Sequence, residues 1–169
     1  VPAILKIDFE TGVFPPGTAL FNLDGATPSS GSIASLADSA WIIQERGNGS
    51  LAALGVSYYD PPTEADDWMI FAELEIPADA DSVVLRWDAI SLTTSGSYPD
   101  HYEIGISTTT QDPEGCLENI ILSIEDEEHE DWISRRISLD DFIGQTKYIG
   151  FHLNTPYDPG DRLAIENII

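Results

Sequence analysis

Cysteine, positive charge and long apolar runs are all scarce in this sequence of 169 residues. The single cysteine, Cys116, cannot form an internal disulfide, and it has no basic neighbour to activate its thiol. Seven Lys and Arg residues against 30 Asp and Glu residues give a formal net charge of −23, which argues against nucleic acid and anionic membranes as partners. No apolar run approaches the ~20 residues of a membrane span, and the chain opens Val1-Pro2 without a signal-peptide pattern. We therefore expect no direct membrane insertion.

The sequence also lacks the short motifs of common enzyme classes. It contains no Gly-x-Ser-x-Gly, no His-Glu-x-x-His and no phosphate-binding loop. Glu73 and Glu75 would lie about 7 Å apart on one strand face, which is compatible with an inverting glycosidase, but Glu-x-Glu is common on exposed strands. His129 and His152 are interpreted as a loop residue and a sheet-face residue rather than as metal ligands. The sequence thus predicts a protein that is not an enzyme.

Apolar residues, by contrast, are plentiful. Hydrophobic types make up 42% of the chain, with four Trp, six Tyr and six Phe. That content is enough to offset the entropy of ordering a chain of this length, so the acidity is expected to belong to a folded surface. We expect a single domain spanning 1–169.

The clearest strand pattern lies at residues 66–77. One face would carry Trp68, Ile70, Ala72, Leu74 and Ile76, and the other would carry Met69, Phe71, Glu73 and Glu75. We expect the first face to lie fully in a core. Asp66 and Asp67 stand at the start of this stretch, and adjacent carboxylates repel each other unless they are solvated, counter-charged or bound to a cation.

Strand-like segments recur at short intervals along the rest of the chain, about ten in all, with no helix of any length. Residues 41–46 and 51–59 are predicted to form a hairpin. The first segment, 4–10, and the last, 163–169, are both strand-like and can therefore pair. This spacing favours an all-β sandwich or barrel.

Three connecting segments are predicted between the strands. Residues 19–39 are small and polar and are interpreted as a long surface loop, and the acidic run 125–131 as a solvated loop. Residues 140–144 could form one helical turn.

The predicted core comprises Trp68, Ile70, Leu74, Leu85, Trp87, Ile104, Ile106, Ile149, Phe151 and Leu153.

Six stretches carry motifs in a characteristic order. They are Asp8-Phe9-Glu10, Asp67-Trp68-Met69-Ile70, residues 100–108, residues 132–144, Lys147-Tyr148-Ile149-Gly150-Phe151, and residues 164–168. Together they resemble the cleaved-adhesin, or choice-of-anchor J, domains of bacterial surface and secreted proteins. The resemblance covers nearly the whole chain and implies an antiparallel two-sheet jelly-roll β-sandwich, like that of MAM domains and carbohydrate-binding modules. It also implies a monomeric, non-catalytic module of a longer secreted or cell-surface protein that adheres to host or matrix material.

The same resemblance implies structural calcium. Calcium takes about 6–8 oxygen ligands, and no run in the sequence matches the 12-residue helix-loop-helix site, so its ligands would come from distant segments. The family places a carboxylate at Glu10, and Glu166 stands where its last motif usually has Asp. If the terminal strands pair, these two can converge at one end of the sandwich with Asp24 and with Asp66 or Asp67.

Two alternatives to the calcium-stabilised adhesion module remain open. A lectin-like module would stack sugar rings on exposed aromatic side chains in or near loops, for which the candidates are Tyr58, Tyr59, Tyr98 and Tyr157. A structural spacer would present a neighbouring domain and bind nothing itself. The expected partner is accordingly a host or matrix protein or a glycan.

Overall fold

A computed structural model describes residues 3–29, 39–46, 49–92, 98–129, 131–156 and 160–169. The strands are β1 Ala19–Asn22, β2 Trp41–Glu45, β3 Leu51–Val56, β4 Asp67–Ile70, β5 Leu74–Glu75, β6 Val84–Ser91, β7 Asp100–Ser107, β8 Ile120–Glu127, β9 Ile133–Ser138, β10 Thr146–Leu153 and β11 Arg162–Glu166. One helix, α1, spans Pro113–Leu117, and a 3-10 turn spans Asp140–Phe142 as predicted. No helix in these ranges is long and apolar enough to cross a bilayer.

The strands form two antiparallel sheets packed as a sandwich. The front sheet has the order β1-β4-β10-β7-β8, with β5 also paired to β10, and the back sheet has the order β2-β3-β11-β6-β9. The predicted hairpin is β2-β3, and Ile7 pairs with Ile168, so the first and last segments of the chain do meet. The prediction of an all-β two-sheet sandwich is confirmed.

Two local predictions were wrong. Residues 19–39 are not one loop, because Ala19–Asn22 forms β1 and covers the free edge of β4 in the front sheet. Residues 4–10 do not form a strand, since this segment contributes only the isolated bridge at Ile7 to the ladder. The bridge suffices to hold the segment, because Ile7 and Ile168 exchange both backbone hydrogen bonds, at 2.8 and 2.9 Å.

The stretch at 66–77 is a strand interrupted by one extra residue. Ile70 pairs with Gly150 of β10, so in an uninterrupted antiparallel ladder Leu74, four residues later, would pair with Thr146. It pairs instead with Lys147. An extra residue reverses which side chains face the core, because side chains alternate strictly along a strand. Leu74 therefore packs against the main core, whereas Ile70 lies on the outer face of the front sheet.

The main core fills the space between the sheets. Seven of the predicted residues are buried in it, namely Leu85, Trp87, Ile104, Ile106, Ile149, Phe151 and Leu153. Trp68 and Ile70 are also fully buried, but they belong to a second cluster with Cys116 on the outer face of the front sheet. The prediction that the whole Trp68 face points into one core is thus corrected, since both faces of β4 are covered.

Helix α1 covers part of that outer face. Asp112 caps its N-terminus by accepting from Gly115 N, and Pro113 fits the first turn because that position needs no amide proton. The helix can approach the sheet because Gly105 has no side chain: a Cβ there would lie 2.6 Å from the carbonyl oxygen of Cys116. A short helix is therefore held by close packing on a glycine rather than by its own length.

The acidic run is only partly a solvated loop. Residues 125–127 belong to β8, and Glu127 is fully buried. Arg135 of β9 bonds both of its carboxylate oxygens, at 3.3 and 2.9 Å. The arginine, four residues beyond the run, provides the paired charge that a buried carboxylate requires.

Candidate functional site

The predicted calcium residues Glu10 and Glu166 do come together. The hydroxyl oxygen of Ser50 lies 3.0 Å from Glu10 Oε1 and 2.9 Å from Glu166 Oε2, so one side chain spans both carboxylates. Glu10 Oε1 also accepts from the backbone amide of Leu51 at 3.0 Å. Burial, with the nearby charges of Asp88 and Glu10, raises the pKa of Glu166 above its ordinary value.

The backbone on either side of these two glutamates is unusual. Phe9 precedes Glu10 with a φ of 57°, and Asn167 follows Glu166 with a φ of 52°. A left-handed conformation is rare for a residue as bulky as phenylalanine and costs of order 1–3 kcal/mol. Both turns direct their glutamates towards Ser50, and the surrounding structure maintains them despite that cost.

Asp24, Asp66 and Asp67 form a second cluster. Asp24 Oδ2 accepts from the backbone amide of Asp66 at 2.9 Å and from the hydroxyl of Tyr59 at 3.1 Å. The same hydroxyl lies 3.0 Å from Asp67 Oδ2. Burial and then the charge of Asp24 raise the pKa of Asp67 to about 8, although the Tyr59 hydrogen bond opposes this shift.

The two clusters lie at opposite ends of β3. Glu10 contacts Leu51, the first residue of that strand, whereas the Tyr59 hydroxyl also bonds the carbonyl of Val56, its last residue, at 2.6 Å. A six-residue strand extends about 20 Å. The prediction that Asp24 and either Asp66 or Asp67 join Glu10 and Glu166 in one site is therefore corrected to two separate groups, because Asp24 follows β1 and Asp67 begins β4 of the front sheet.

The second cluster borders a groove with a volume of about 520 Å³. Its lining residues are Asp24, Thr63, Glu64, Ala65, Asp66, Glu103, Leu117, His152 and Asn154. Loop 63–66, helix α1 and strands β7 and β10 thus each contribute to one concave surface on the outside of the front sheet. The volume falls within the range of small-molecule sites, roughly 300–1,000 Å³.

His152 lines this groove. Its ring is stacked on Trp68, its partner across the strands, with 4.1 Å between centroids and 10° between planes. Its Nε2 lies 2.9 Å from Asp66 Oδ1, and its Nδ1 lies 3.3 Å from Glu103 Oε2. Only the doubly protonated imidazole can donate to both carboxylates. The interpretation of His152 as a sheet-face residue is confirmed, and its position between two acids emerges only in the fold.

A buried polar atom without a partner lies in the same groove. Five such side-chain atoms occur in the described part of the chain, and three of them are Asp67 Oδ1, Trp68 Nε1 and Asn154 Oδ1. Asn154 lines the groove, and Trp68 stacks on His152. Asp67 lies outside the lining and shares the Tyr59 hydroxyl with Asp24. Asn154 Oδ1 is therefore available to accept a hydrogen bond from a polar ligand in the groove.

The four candidate tyrosines have different environments. Tyr58 and Tyr98 are exposed by 51% and 38%, as a stacking surface requires. Tyr59 is 5% exposed and packs in the main core with its hydroxyl between two aspartates, so its proposed sugar-stacking role is wrong. Tyr157 lies outside the described residues.

A buried aspartate at the start of the stretch 100–108 lies near the two exposed tyrosines. Asp100 is fully buried and accepts from Ser57 at 2.5 Å and from Ser91 at 2.9 Å. Ser91 also contacts the carbonyl of Tyr98 at 3.4 Å. Burial raises the pKa of Asp100 to about 6 although these hydrogen bonds lower it. The network fixes the chain beside the exposed tyrosines and joins both sheets at this end.

Comparison with known proteins gives structural matches only. No protein-family model matches the sequence, and no curated protein matches it. The K3 cleaved adhesin domain of Lys-gingipain from Porphyromonas gingivalis matches with a TM-score of 0.69 at 19% identity, over 98% of this chain and 96% of that chain. The K1 domain of the same protein matches with a TM-score of 0.71 at 16% identity, over 97% and 95%.

Carbohydrate-binding modules also match the fold. TmCBM61 in complex with β-1,4-galactotriose has a TM-score of 0.62 at 14% identity, covering 99% of this chain and 97% of that chain. The chain thus has the β-sandwich fold of cleaved adhesin domains and carbohydrate-binding modules, as the sequence resemblance implied.

Proposed function

We propose that this chain is a non-catalytic binding module of a secreted or cell-surface protein, and that its groove binds a glycan. The observation that carries the proposal is the groove itself, which is lined by His152, stacked on the buried Trp68, and by Asn154, whose buried Oδ1 has no hydrogen-bond partner. The fold supports it, because adhesin domains and carbohydrate-binding modules share this sandwich, and one of those modules was solved with an oligosaccharide.

The arrangement of the groove suits recognition better than catalysis. Asp66 and Glu103, two of the carboxylates in its lining, are both engaged by His152, so neither is placed as a free nucleophile or base. Glu73 and Glu75, the other acidic pair considered, lie next to and within β5, away from the groove lining. The remaining polar groups, such as Thr63 and Asn154, can hydrogen-bond sugar hydroxyls.

Titration with soluble oligosaccharides and matrix proteins, followed by chemical-shift changes of backbone amides, tests the proposal. Perturbations should cluster at Thr63, Glu103 and Asn154, and Asn154→Ala should weaken binding at least fivefold. Tyr58→Ala and Tyr98→Ala are matched controls outside the groove lining. Loss of binding in the tyrosine variants alone would assign the glycan site to the exposed tyrosines. No response to any glycan or matrix protein would favour the spacer alternative.

We also propose that a structural calcium ion binds at Glu10 and Glu166. The residues fit a hard cation, because two carboxylates converge on one hydroxyl and neither forms a salt bridge within the described part of the chain. Within the described ranges, no group of three His, Cys, Asp or Glu side chains could hold a metal by itself. Carbonyl, hydroxyl and water oxygens would therefore supply the remaining ligands. Burial is the main cause of the raised pKa of Glu166, and bound calcium would offset the further contribution from the charges of Asp88 and Glu10.

A further inference from the structure

The exposed positive charge of the chain lies in one row of residues across the outer face of the back sheet. All seven Lys and Arg residues belong to the described ranges, and the exposed ones are Lys6, Arg86 and Arg136. Arg86 pairs directly with Arg136 across β6 and β9, and on its other side it exchanges both backbone hydrogen bonds with Ile169, at 2.8 and 2.9 Å. The bridge between the first and last segments of the chain places Lys6 opposite Ile169. Residues directly opposite each other point to the same face of a sheet, so the three cations share one face.

The two arginines of this row form a like-charged pair. Neither of them has a salt bridge within the described part of the chain. The ladder hydrogen bond from Leu139 N to Val83 O puts Arg86 and Arg136 at a non-hydrogen-bonded position, where opposite Cα atoms are about 4.5 Å apart. Like charges directly opposite each other repel, and a carboxylate bound beside them would be attracted by both.

Arg136 also lies on a free edge, because β9 is the last strand in the order of the back sheet. Successive backbone amides in a strand point in opposite directions. Since Leu139 N points towards β6, the amides of Ser134, Arg136 and Ser138 point away from it. These three amides have no backbone partner among the described residues. Such an edge is a template on which an extended polypeptide can add as a further strand.

We infer that β9 binds an extended acidic segment of another polypeptide, which adds to the back sheet as a further strand. The segment places an Asp or Glu side chain opposite Arg136, with Arg86 one strand further on. Its neighbouring side chains point inward, towards the half-buried Ile137, which packs against the main core. The inference goes beyond the proposed function, because this edge belongs to the back sheet and the groove lies on the front sheet.

Charge and backbone chemistry decide between the possible occupants. A second copy is disfavoured, because both chains carry a net charge of −23 and pairing of β9 with itself brings together two segments that each contain Arg135 and Arg136. An anionic polysaccharide would meet the arginines, but it has no alternating amides and carbonyls to continue the ladder. An acidic polypeptide segment satisfies both the charges and the edge.

Two blocked peptides that differ at one residue test the inference, namely Thr-Thr-Val-Glu-Val-Thr-Thr and Thr-Thr-Val-Gln-Val-Thr-Thr. The titration uses about 0.15 M salt, where a Debye length of about 8 Å screens the distant acidic surface. The glutamate peptide should bind about three- to fivefold more tightly. Arg136→Gln should remove most of that preference. Lys6→Gln, which removes the same charge at the far end of the row, should leave it intact.

Strand addition has its own readouts. Hydrogen exchange should slow at the amides of Ser134, Arg136 and Ser138 when the glutamate peptide binds, and should stay unchanged at Arg135, whose amide already faces β6. Ser134→Pro removes one outward amide and no ladder bond, a position where an edge strand tolerates proline. It should abolish binding, whereas Ser134→Ala, which removes only the hydroxyl that bonds Asp88, should retain it. Thermal melts check that both variants fold, and Arg136→Gln decides if the proline variant does not.

Four results would overturn the inference. Equal affinity for the two peptides, or equal losses in Lys6→Gln and Arg136→Gln, would exclude recognition of an acidic side chain at β9. Unchanged exchange at the three outward amides would exclude strand addition. Dextran sulfate that binds with the same variant pattern while neither peptide binds would make the partner an anionic polysaccharide. A dimer that Ser134→Pro dissociates in sedimentation would assign the edge to a second copy.

Discussion

The indole nitrogen of Trp87 donates a hydrogen bond of 3.0 Å to the hydroxyl of Tyr102 and so joins the back sheet to the front sheet through the core. Tyr102 in turn donates to Glu127 Oε2 at 2.9 Å. Glu127 also accepts from Arg135, which lies on β9 of the back sheet. The Glu127 carboxylate raises the pKa of Arg135, which keeps the guanidinium charged beside it. A continuous chain of hydrogen bonds therefore connects the two sheets through the interior.

Tyr102→Phe is expected to lower the free energy of unfolding by about 1–3 kcal/mol, because it leaves the buried Trp87 nitrogen without its acceptor. Urea unfolding measures the change. Tyr58→Phe removes a hydroxyl from a side chain that is 51% exposed and should change stability by less than about 0.5 kcal/mol. Equal effects of the two variants would mean that the buried hydrogen bond contributes nothing of its own.

His152→Ala should destabilise the domain by about 0.5–1.5 kcal/mol through loss of the stack on Trp68. The ion pairs should contribute less, since the Asp66 side chain is 45% exposed. His152→Phe separates the two contributions because it keeps an aromatic ring but no charge. Chemical denaturation should show that phenylalanine restores most of the loss; if it restores none, the stabilisation comes from the carboxylate contacts.

Stability should fall as the pH rises from about 4 to about 8, because the folded state holds a proton on Asp67 that the unfolded chain releases near its ordinary pKa of 3.8. Below that range both states are protonated, so Asp67 has no effect there. Asp67→Asn should therefore reduce the slope and make the variant more stable than the wild type at pH 9, by about 1 kcal/mol or more. Thermal melts across this range, with EDTA present, measure it. Parallel curves would show that Asp67 titrates normally.

Gly105→Ala should displace helix α1, since the new Cβ would lie 2.6 Å from the Cys116 carbonyl oxygen. Cys116 is fully buried, and burial raises the pKa of its thiol to about 12, so it should react slowly with thiol reagents in the native protein. As the only cysteine, it reports directly on the helix. Labelling should accelerate at least tenfold in Gly105→Ala and remain slow in Ile149→Val, a mild change in the main core. Unchanged labelling would show that the helix adjusts without leaving the sheet.

Millimolar calcium should raise the melting temperature relative to EDTA by a few degrees. Binding at about 100-fold excess over Kd contributes roughly 2.7 kcal/mol to the folded state. Glu10→Gln and Glu166→Gln should each abolish most of the shift, whereas Asp24→Asn, in the other cluster, should preserve it. An equal shift with magnesium would indicate diffuse neutralisation of the acidic surface, because Mg²⁺ is poorly accommodated by an all-protein oxygen site.

The sequence by itself determined the class of fold and most of the main core. The alternation of Ile149, Phe151 and Leu153 indicates a strand with these side chains in the core, since every second side chain in an antiparallel sandwich faces the opposite sheet. The scarcity of basic residues likewise determined the acidic surface. The pairing of Ile7 with Ile168 followed from two strand-like ends.

Only the tertiary structure decided how the carboxylates are grouped and which face of β4 lies where. One extra residue between Ile70 and Leu74 reverses the alternation, and a period of two cannot reveal where such a bulge falls. Likewise, Glu10 is 156 positions from Glu166, and Asp66 is 86 positions from His152. Such neighbours are set by strand order, because β10 lies between β4 and β7 and so places His152 between Trp68 and Glu103. No local pattern in the sequence encodes that order.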